Sequence, residues 1–236
     1  MTDNVVNPDN ENLPSTSGMP AETTPVFARK SGMWSRGSGD TSGYGGIERE
    51  LAFPGQTQPP FNDTFDAVHG RALEVLPEEL KGARFLFDRG ELTIYVPREH
   101  LATVAKTFRD DAHLRFEVCV SVNGVHYPQE TGAELHVVYH LLSYTHNRRV
   151  RLEVTCPDDD ARVPSVVATY PMADYHERET WDMFGVIFDG HPSLTRILMP
   201  DDWKGHPQRK DYPLGGVDVE YKGAKVPAPD NRRTYS

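Results

Sequence analysis

Imidazoles and carboxylates crowd together between His176 and His206, where His176, Glu177, Asp182, His191 and His206 all fall in or beside the stretch ERETWDMFGVIFDGHPSLTRILMPDDWKGHPQRKDYPL, Glu177 to Leu214. Three imidazoles around a zinc ion, with a glutamate as base, would make a hydrolase. A stand-alone metal-dependent hydrolase built on His176, His191 and His206 is therefore the catalytic alternative for this chain. The spacing argues against it: there is no HExxH pair, no nucleophile elbow, no Walker loop and no GxGxxG after a strand. His136 and His140 would share one face of a strand, but two ligands fall short of a tetrahedral set, so hydrogen-bonded residues are the better reading. Cys119 and Cys156 form no CxxC spacing, so no iron–sulfur or zinc site is expected, and both read as reduced, part-buried thiols.

The same stretch suits docking. Glu177, Arg178 and Glu179 are successive residues about 100° apart on a helix, so they point three ways and can tie it to the following segment and to a neighbour. Arg178 and Arg196 are expected to form bidentate pairs with carboxylates. In the two GHP triplets, Gly190-His191-Pro192 and Gly205-His206-Pro207, glycine permits a positive φ and proline fixes the next backbone step, which sets each histidine at a rigid corner. Trp203 and Tyr212 supply large anchors, and Arg209, Lys210 and Asp211 close the run with a charged cluster. Substituting Arg209 or Asp211 is accordingly expected to impair assembly and to spare the domain's own melting.

The elements that must hold this stretch are legible upstream. Asp63 can cap a helix whose apolar positions Phe65, Val68, Ala72, Leu73 and Leu76 recur every three or four residues, with Pro77 at its end. Arg84 to Asp88 and Glu91 to Val96 flank a tight Asp88-Arg89-Gly90 turn, the glycine supplying the positive φ. A second helix follows Pro97 with Leu101, Val104, Ala105 and Phe108 on one stripe. Strands are expected over Leu114 to Val122, Glu134 to Tyr144 and Val150 to Thr155, with a turn at Asn147-Arg148-Arg149. Ser165 can cap a short helix that Pro171 interrupts or restarts, and a helix from Ala173 to Phe184 ends at Gly185 with Ala173, Glu177, Thr180, Trp181 and Phe184 sharing one face. The fold class is α+β, a mixed or antiparallel sheet covered by helices over residues 61–188, with a long irregular N-terminal arm at 1–60 and an extended docking tail at 189–236. Eight glycines and seven prolines mark the arm, which is expected to order along neighbouring chains on assembly.

A net charge of −10 disfavours nucleic acid, and no run of about 18 apolar residues could span a membrane. From Arg196 onward, eight basic residues face six acidic ones, a locally cationic tail on an acidic body that suits docking to an acidic surface.

The stretch resembles the signature of the 30 kDa subunit of respiratory complex I, the C-type subunit of the proton-translocating NADH-quinone oxidoreductase. Glu177, Arg178, Glu179, Asp182, Phe184 and Gly185 carry the resemblance, followed by Gly190-His191-Pro192, Leu194, Arg196, Ile197, Leu198, Pro200, Trp203, Gly205-His206-Pro207 and Arg209-Lys210-Asp211-Tyr212-Pro213. The chain departs from that pattern at Trp181, Thr195 and Gln208, where Tyr, Arg and Leu are more usual. The resemblance implies a structural subunit of the peripheral, quinone-reducing arm with no active site of its own and no cofactor in this chain. FMN and the iron–sulfur clusters would lie in partner subunits. It further implies packing against the 49 kDa-like, D-type subunit and near the B-type subunit, on the cytoplasmic side of the cell membrane. Electron transfer from NADH to quinone and proton translocation would belong to the whole complex. Glu177, Arg178, Glu179, Asp182, His191, Arg196, Trp203, His206, Arg209, Lys210, Asp211 and Tyr212 are the signature and interface residues it marks.

Overall fold

In a computed structural model, the described residues are 26–31, 48–52, 55–80, 83–213, 219–221 and 223–226. The expectation that the arm orders only on assembly lies largely outside them. Inside the arm, β1 (Val26–Ser31) and β2 (Glu48–Ala52) pair antiparallel, an element that the Gly- and Pro-rich composition gives no sign of.

Helix α1 (Asp63–Val75) begins one residue away from the expected cap. Asn62 is the N-cap, its side chain accepting the Phe65 N–H at 2.9 Å, and Asp66 accepts the Phe61 N–H in return. Phe65, Val68 and Ala72 are buried, and the helix stops at Leu76 ahead of Pro77. The hairpin of β3 (Arg84–Asp88) and β4 (Glu91–Tyr95) turns through Arg89 at φ 52° and Gly90 at φ 81°. Both central residues are left-handed, as a type I′ turn requires, not the glycine alone. Helix α2 (Leu101–Asp110) buries the expected stripe of Leu101, Val104, Ala105 and Phe108.

The next strand starts later than its composition suggests. Asp111 accepts the N–H groups of His113 and Leu114, and Arg115 turns at φ 41°, so Leu114 and Phe116 enter the core from a loop. Strand β5 is Val118–His126, with an irregular register between Cys119 and Ser121 that leaves Val120 as a bulge. It pairs with β6 (Leu135–Ser143), and β6 with β7 (Arg148–Cys156). Arg148 and Arg149 belong to β7 and not to the turn, which Asn147 makes at φ 48°. The sheet order is β3-β4-β7-β6-β5, antiparallel except for the parallel β4–β7 pair.

Strand β8 (Arg162–Pro164) pairs parallel with β9 (Ile187–Asp189), and helix α3 (Ala173–Phe184) connects them. Ser165 caps no helix; the residues after it form a turn. Gly185 ends α3 at φ 83°, its N–H donating to the Trp181 carbonyl, a left-handed cap. Further on, β10 (Val219–Tyr221) and β11 (Ala224–Val226) form a small antiparallel pair.

The core lies between one face of the sheet and the three helices. Alternate strand residues Leu135, Val137, Tyr139 and Leu141 on β6 and Val150, Leu152 and Val154 on β7 point into it. Cys119 and Cys156 are free and fully buried, more deeply than expected, and burial pushes their thiols up to about 12 and about 11. On the opposite face His136 and His140 do share a side, but His136 is held by Glu153 at 2.5 Å and Glu130 at 2.9 Å, an ion-pair arrangement and not a metal set. Helix α3 sits on β5: Thr180 donates to the Val122 carbonyl, and a Cβ at Gly124 would fall 2.5 Å from the Phe184 ring.

Candidate docking site

The three charges that open the motif do point three ways. Glu177 faces inward, fully buried, where it accepts the Ser165 hydroxyl at 2.6 Å and the Val166 N–H at 2.8 Å. Burial raises its carboxyl to about 7 against the lowering effect of those donors. Arg178 turns sideways and donates to the backbone carbonyls of Thr195 and Arg196, both at 3.1 Å, instead of the carboxylate expected for it. Glu179 faces solvent.

Asp182, also on α3 and 0% exposed, fastens the following segment. One oxygen accepts the N–H groups of Ile197, Leu198 and Met199 at 3.1, 2.8 and 2.9 Å, and the other accepts Arg196 Nη1 at 2.5 Å. Burial alone would raise this carboxyl, but these donors together hold it below its ordinary value. Arg196 does meet a carboxylate, but through Nη1 alone and not in the bidentate pair expected for it. Its Nη2 donates to the Trp203 carbonyl at 2.8 Å, and its guanidinium lies over the Trp181 ring.

Each GHP corner turns at a left-handed glycine, Gly190 at φ 84° and Gly205 at φ 85°. His191 donates from Nε2 to the Asp174 carbonyl and accepts the Ser193 N–H at Nδ1. His206 donates from Nδ1 to the Asp182 carbonyl at 3.0 Å, and its ring covers Gly185, where a Cβ would meet it at 2.7 Å. His191 and His206 are thus committed to backbone partners. Among the described residues, His176, His191 and His206 do not gather within reach of one ion.

The last part of the motif returns to the domain. Arg209 donates to the Phe184 carbonyl at 3.2 Å and pairs with Asp158, and the Lys210 N–H donates to Nδ1 of buried His126 at 3.0 Å. Substituting Arg209 should therefore lower the domain's own melting temperature, contrary to the effect expected from the sequence. Trp203 and Tyr212 are half-buried, and Tyr212 packs over Gly205. Lys210 and Asp211 are exposed. His126, Asp158 and Asp211 could geometrically surround a cation, yet the Arg209 guanidinium already sits against both carboxylates and Nδ1 already accepts an N–H.

Beside this lock lies a surface that reading the signature alone misses. Tyr175 is 64% and Leu198 60% exposed, with Met172 and Ile197 also in solvent. Met172, Tyr175 and Glu179 follow helical spacing on the face of α3 away from β5. Arg178 joins the two parts, stacking over Tyr175 and donating to the carbonyls just before Ile197. Apolar residues off the core stripe of a helix are the sequence signal that points to it.

The model of the family described as "Respiratory-chain NADH dehydrogenase, 30 Kd subunit" matches residues 94–218, more than half of the chain. The chain is 57% identical over 229 residues to the C-type subunit of the NADH-quinone oxidoreductase of Nocardioides sp. (strain ATCC BAA-499 / JS614), covering 96% of this chain and 90% of that protein. It is also 57% identical over 224 residues to the corresponding C-type subunit from Mycolicibacterium smegmatis (strain ATCC 700084 / mc(2)155), covering 93% and 94%. A similar fold occurs in a chain of the membrane-bound sulfane sulfur reductase, an archaeal respiratory membrane complex, at a TM-score of 0.55 and 25% identity over 64% of this chain and 87% of that one. With the signature residues set in one continuous lock between α3 and the segment that follows it, the chain belongs to the 30 kDa subunit family of the respiratory-chain NADH dehydrogenase.

Proposed function

We propose that the chain is a structural subunit of the peripheral, quinone-reducing arm of an NADH-quinone oxidoreductase and contributes by holding neighbouring subunits in place. The supporting observation is the division of labour around α3. Glu177, Asp182, Arg196, His206 and Arg209 bond within the chain, while Met172, Tyr175, Ile197 and Leu198 remain in solvent on the rigid surface they create. Exposed aromatic and aliphatic anchors on a preorganised surface are what protein docking requires.

The neighbours that fit the resemblance are a 49 kDa-like, D-type subunit and a B-type subunit. In this reading FMN and the iron–sulfur clusters sit in partner subunits, and this chain has no active site of its own. Electron transfer from NADH to quinone, coupled to proton translocation, is an activity of the assembly. No helix among the described residues is long and apolar enough to cross a membrane. The peripheral position on the cytoplasmic side of the cell membrane is what the resemblance implies. The arm at 1–60 then serves as an extension of the domain at 61–188 along other subunits, whereas the expected docking tail is bound back onto α3 over residues 195–210 and contributes through its exposed side chains.

Affinity purification of the tagged chain from its native cell tests this. Recovery of iron–sulfur subunits with NADH dehydrogenase activity supports the reading. A homogeneous lone chain that carries no other subunit would contradict it.

A further inference from the structure

A groove that the surface around α3 does not use starts on the sheet face turned away from the helices and runs over the end of the sheet to the first turn of α1 at Asn62, Thr64 and Phe65. Two adjoining depressions of about 190 and 570 Å³ share Glu91 and Arg149. They lead from Val120 and His140 on that face to Leu142, Tyr144 and Arg148 at the end of the sheet. Tyr144 is 73% exposed, and the bulge residue Val120 is 41% exposed.

Two arginines of the groove have no carboxylate partner among the described residues, and the nearby Glu117, which accepts the Tyr144 N–H at 3.0 Å, is already paired with Arg115. Arg149 is exposed and has no carboxylate partner among the described residues. Arg148 is half-buried, lies over the Phe116 ring and donates to the carbonyls of His113 and Leu114, while its Nε is buried without a partner among the described residues. Desolvation lowers its pKa. Glu91, the acid common to both depressions, is already bridged to Arg151 at 3.1 Å. A chain of net charge −10 thus leaves Arg149 without a counter-charge on one side of β7 and Arg148, held by carbonyls alone, on the other, where the strand ends near an exposed tyrosine. A partly desolvated cation without a counter-charge is unfavourable until a partner supplies one, and arginine with tyrosine is the composition of an interface hot spot.

We propose that this groove is a second docking surface, filled in the assembled complex by an acidic segment of a neighbouring subunit. Carboxylates of that segment pair with Arg148 and Arg149, and an apolar side chain lies against Leu142 and Tyr144. The apolar floor favours a protein segment over a free anion, which would leave it uncovered. The proposal rests on the chain being one subunit of a complex, and it gives the chain a second contact on the other face of its sheet, so that it joins two neighbouring segments.

Replacing Tyr144 with photoreactive benzoylphenylalanine, in cells that assemble the full complex, tests the proposal, with the same label at Tyr175 as a parallel probe. Irradiation should join position 144 to an acidic stretch of another subunit, and Arg149→Glu should lower that yield at least tenfold with the complex still assembled. An adduct to residues 1–60 of the same chain, an adduct to lipid, or no adduct in an intact complex would overturn it. Adducts at 175 with none at 144 remove the groove and leave the proposed function standing. Failure to assemble with any other subunit removes both.

Discussion

Asp182 is the residue on which the lock between α3 and the following segment depends. It neutralises Arg196 and accepts three consecutive N–H groups. Asp182→Ala removes all four bonds and leaves Arg196 without its counter-charge. Breaking a buried pair costs about 3 to 5 kcal/mol, and urea unfolding of the purified chain should show a loss of that order. Glu177 gives a different signature because its folded pKa is raised, to about 7, above the ordinary 4.5. Its contribution is full below the unfolded value and is lost as pH rises through the folded one, amounting to about 3 kcal/mol between pH 4.5 and 7. Glu177→Gln keeps the shape without the titration, so its stability should gain on the native chain across that window and run parallel above it. Parallel curves throughout would mean that Glu177 is not titrating there. The sequence made the three directions of Glu177, Arg178 and Glu179 legible because they follow from helical spacing. It did not disclose that Arg178 would meet carbonyls, since those acceptors belong to a loop whose path is set by Asp182.

At the scale of elements, Gly185 and Gly124 decide how α3 is seated. Gly185 combines a left-handed φ of 83° with contact against His206, so Gly185→Ala meets both backbone strain and a clash at 2.7 Å. A stability loss of about 1 to 2 kcal/mol is expected from the backbone conformation. Trypsin should also cut faster at Lys204 and Arg209 once His206 is displaced, and unchanged cleavage would detach the glycine from the lock. Helix α3 and both upstream helices were readable because their apolar residues repeat with the helical period. Strand β5 was displaced because Leu114 and Phe116 look like strand residues, whereas Asp111 draws their backbone into a turn. The β8–β9 pair had no local signal, being three residues long on each side and formed across the helix that separates them.

Across the whole molecule, the residues that hold the chain together are distinct from the exposed anchors proposed to meet its neighbours. The signature region identified the family from sequence, and the five-stranded sheet with its helices has the α+β class expected. What the sequence could not supply was which signature residues turn inward, because that depends on the return of residues 195–210 onto α3. The central claim is tested most directly by Tyr175→Ala combined with Leu198→Ala in the tagged chain, comparing co-purified subunits with the melting temperature of the isolated protein. Two exposed anchors of hot-spot rank are together worth on the order of 4 kcal/mol of binding, so recovery of the iron–sulfur subunits should collapse while the melting temperature stays near that of the native chain. Full recovery of those subunits with the doubly substituted chain would contradict the docking role.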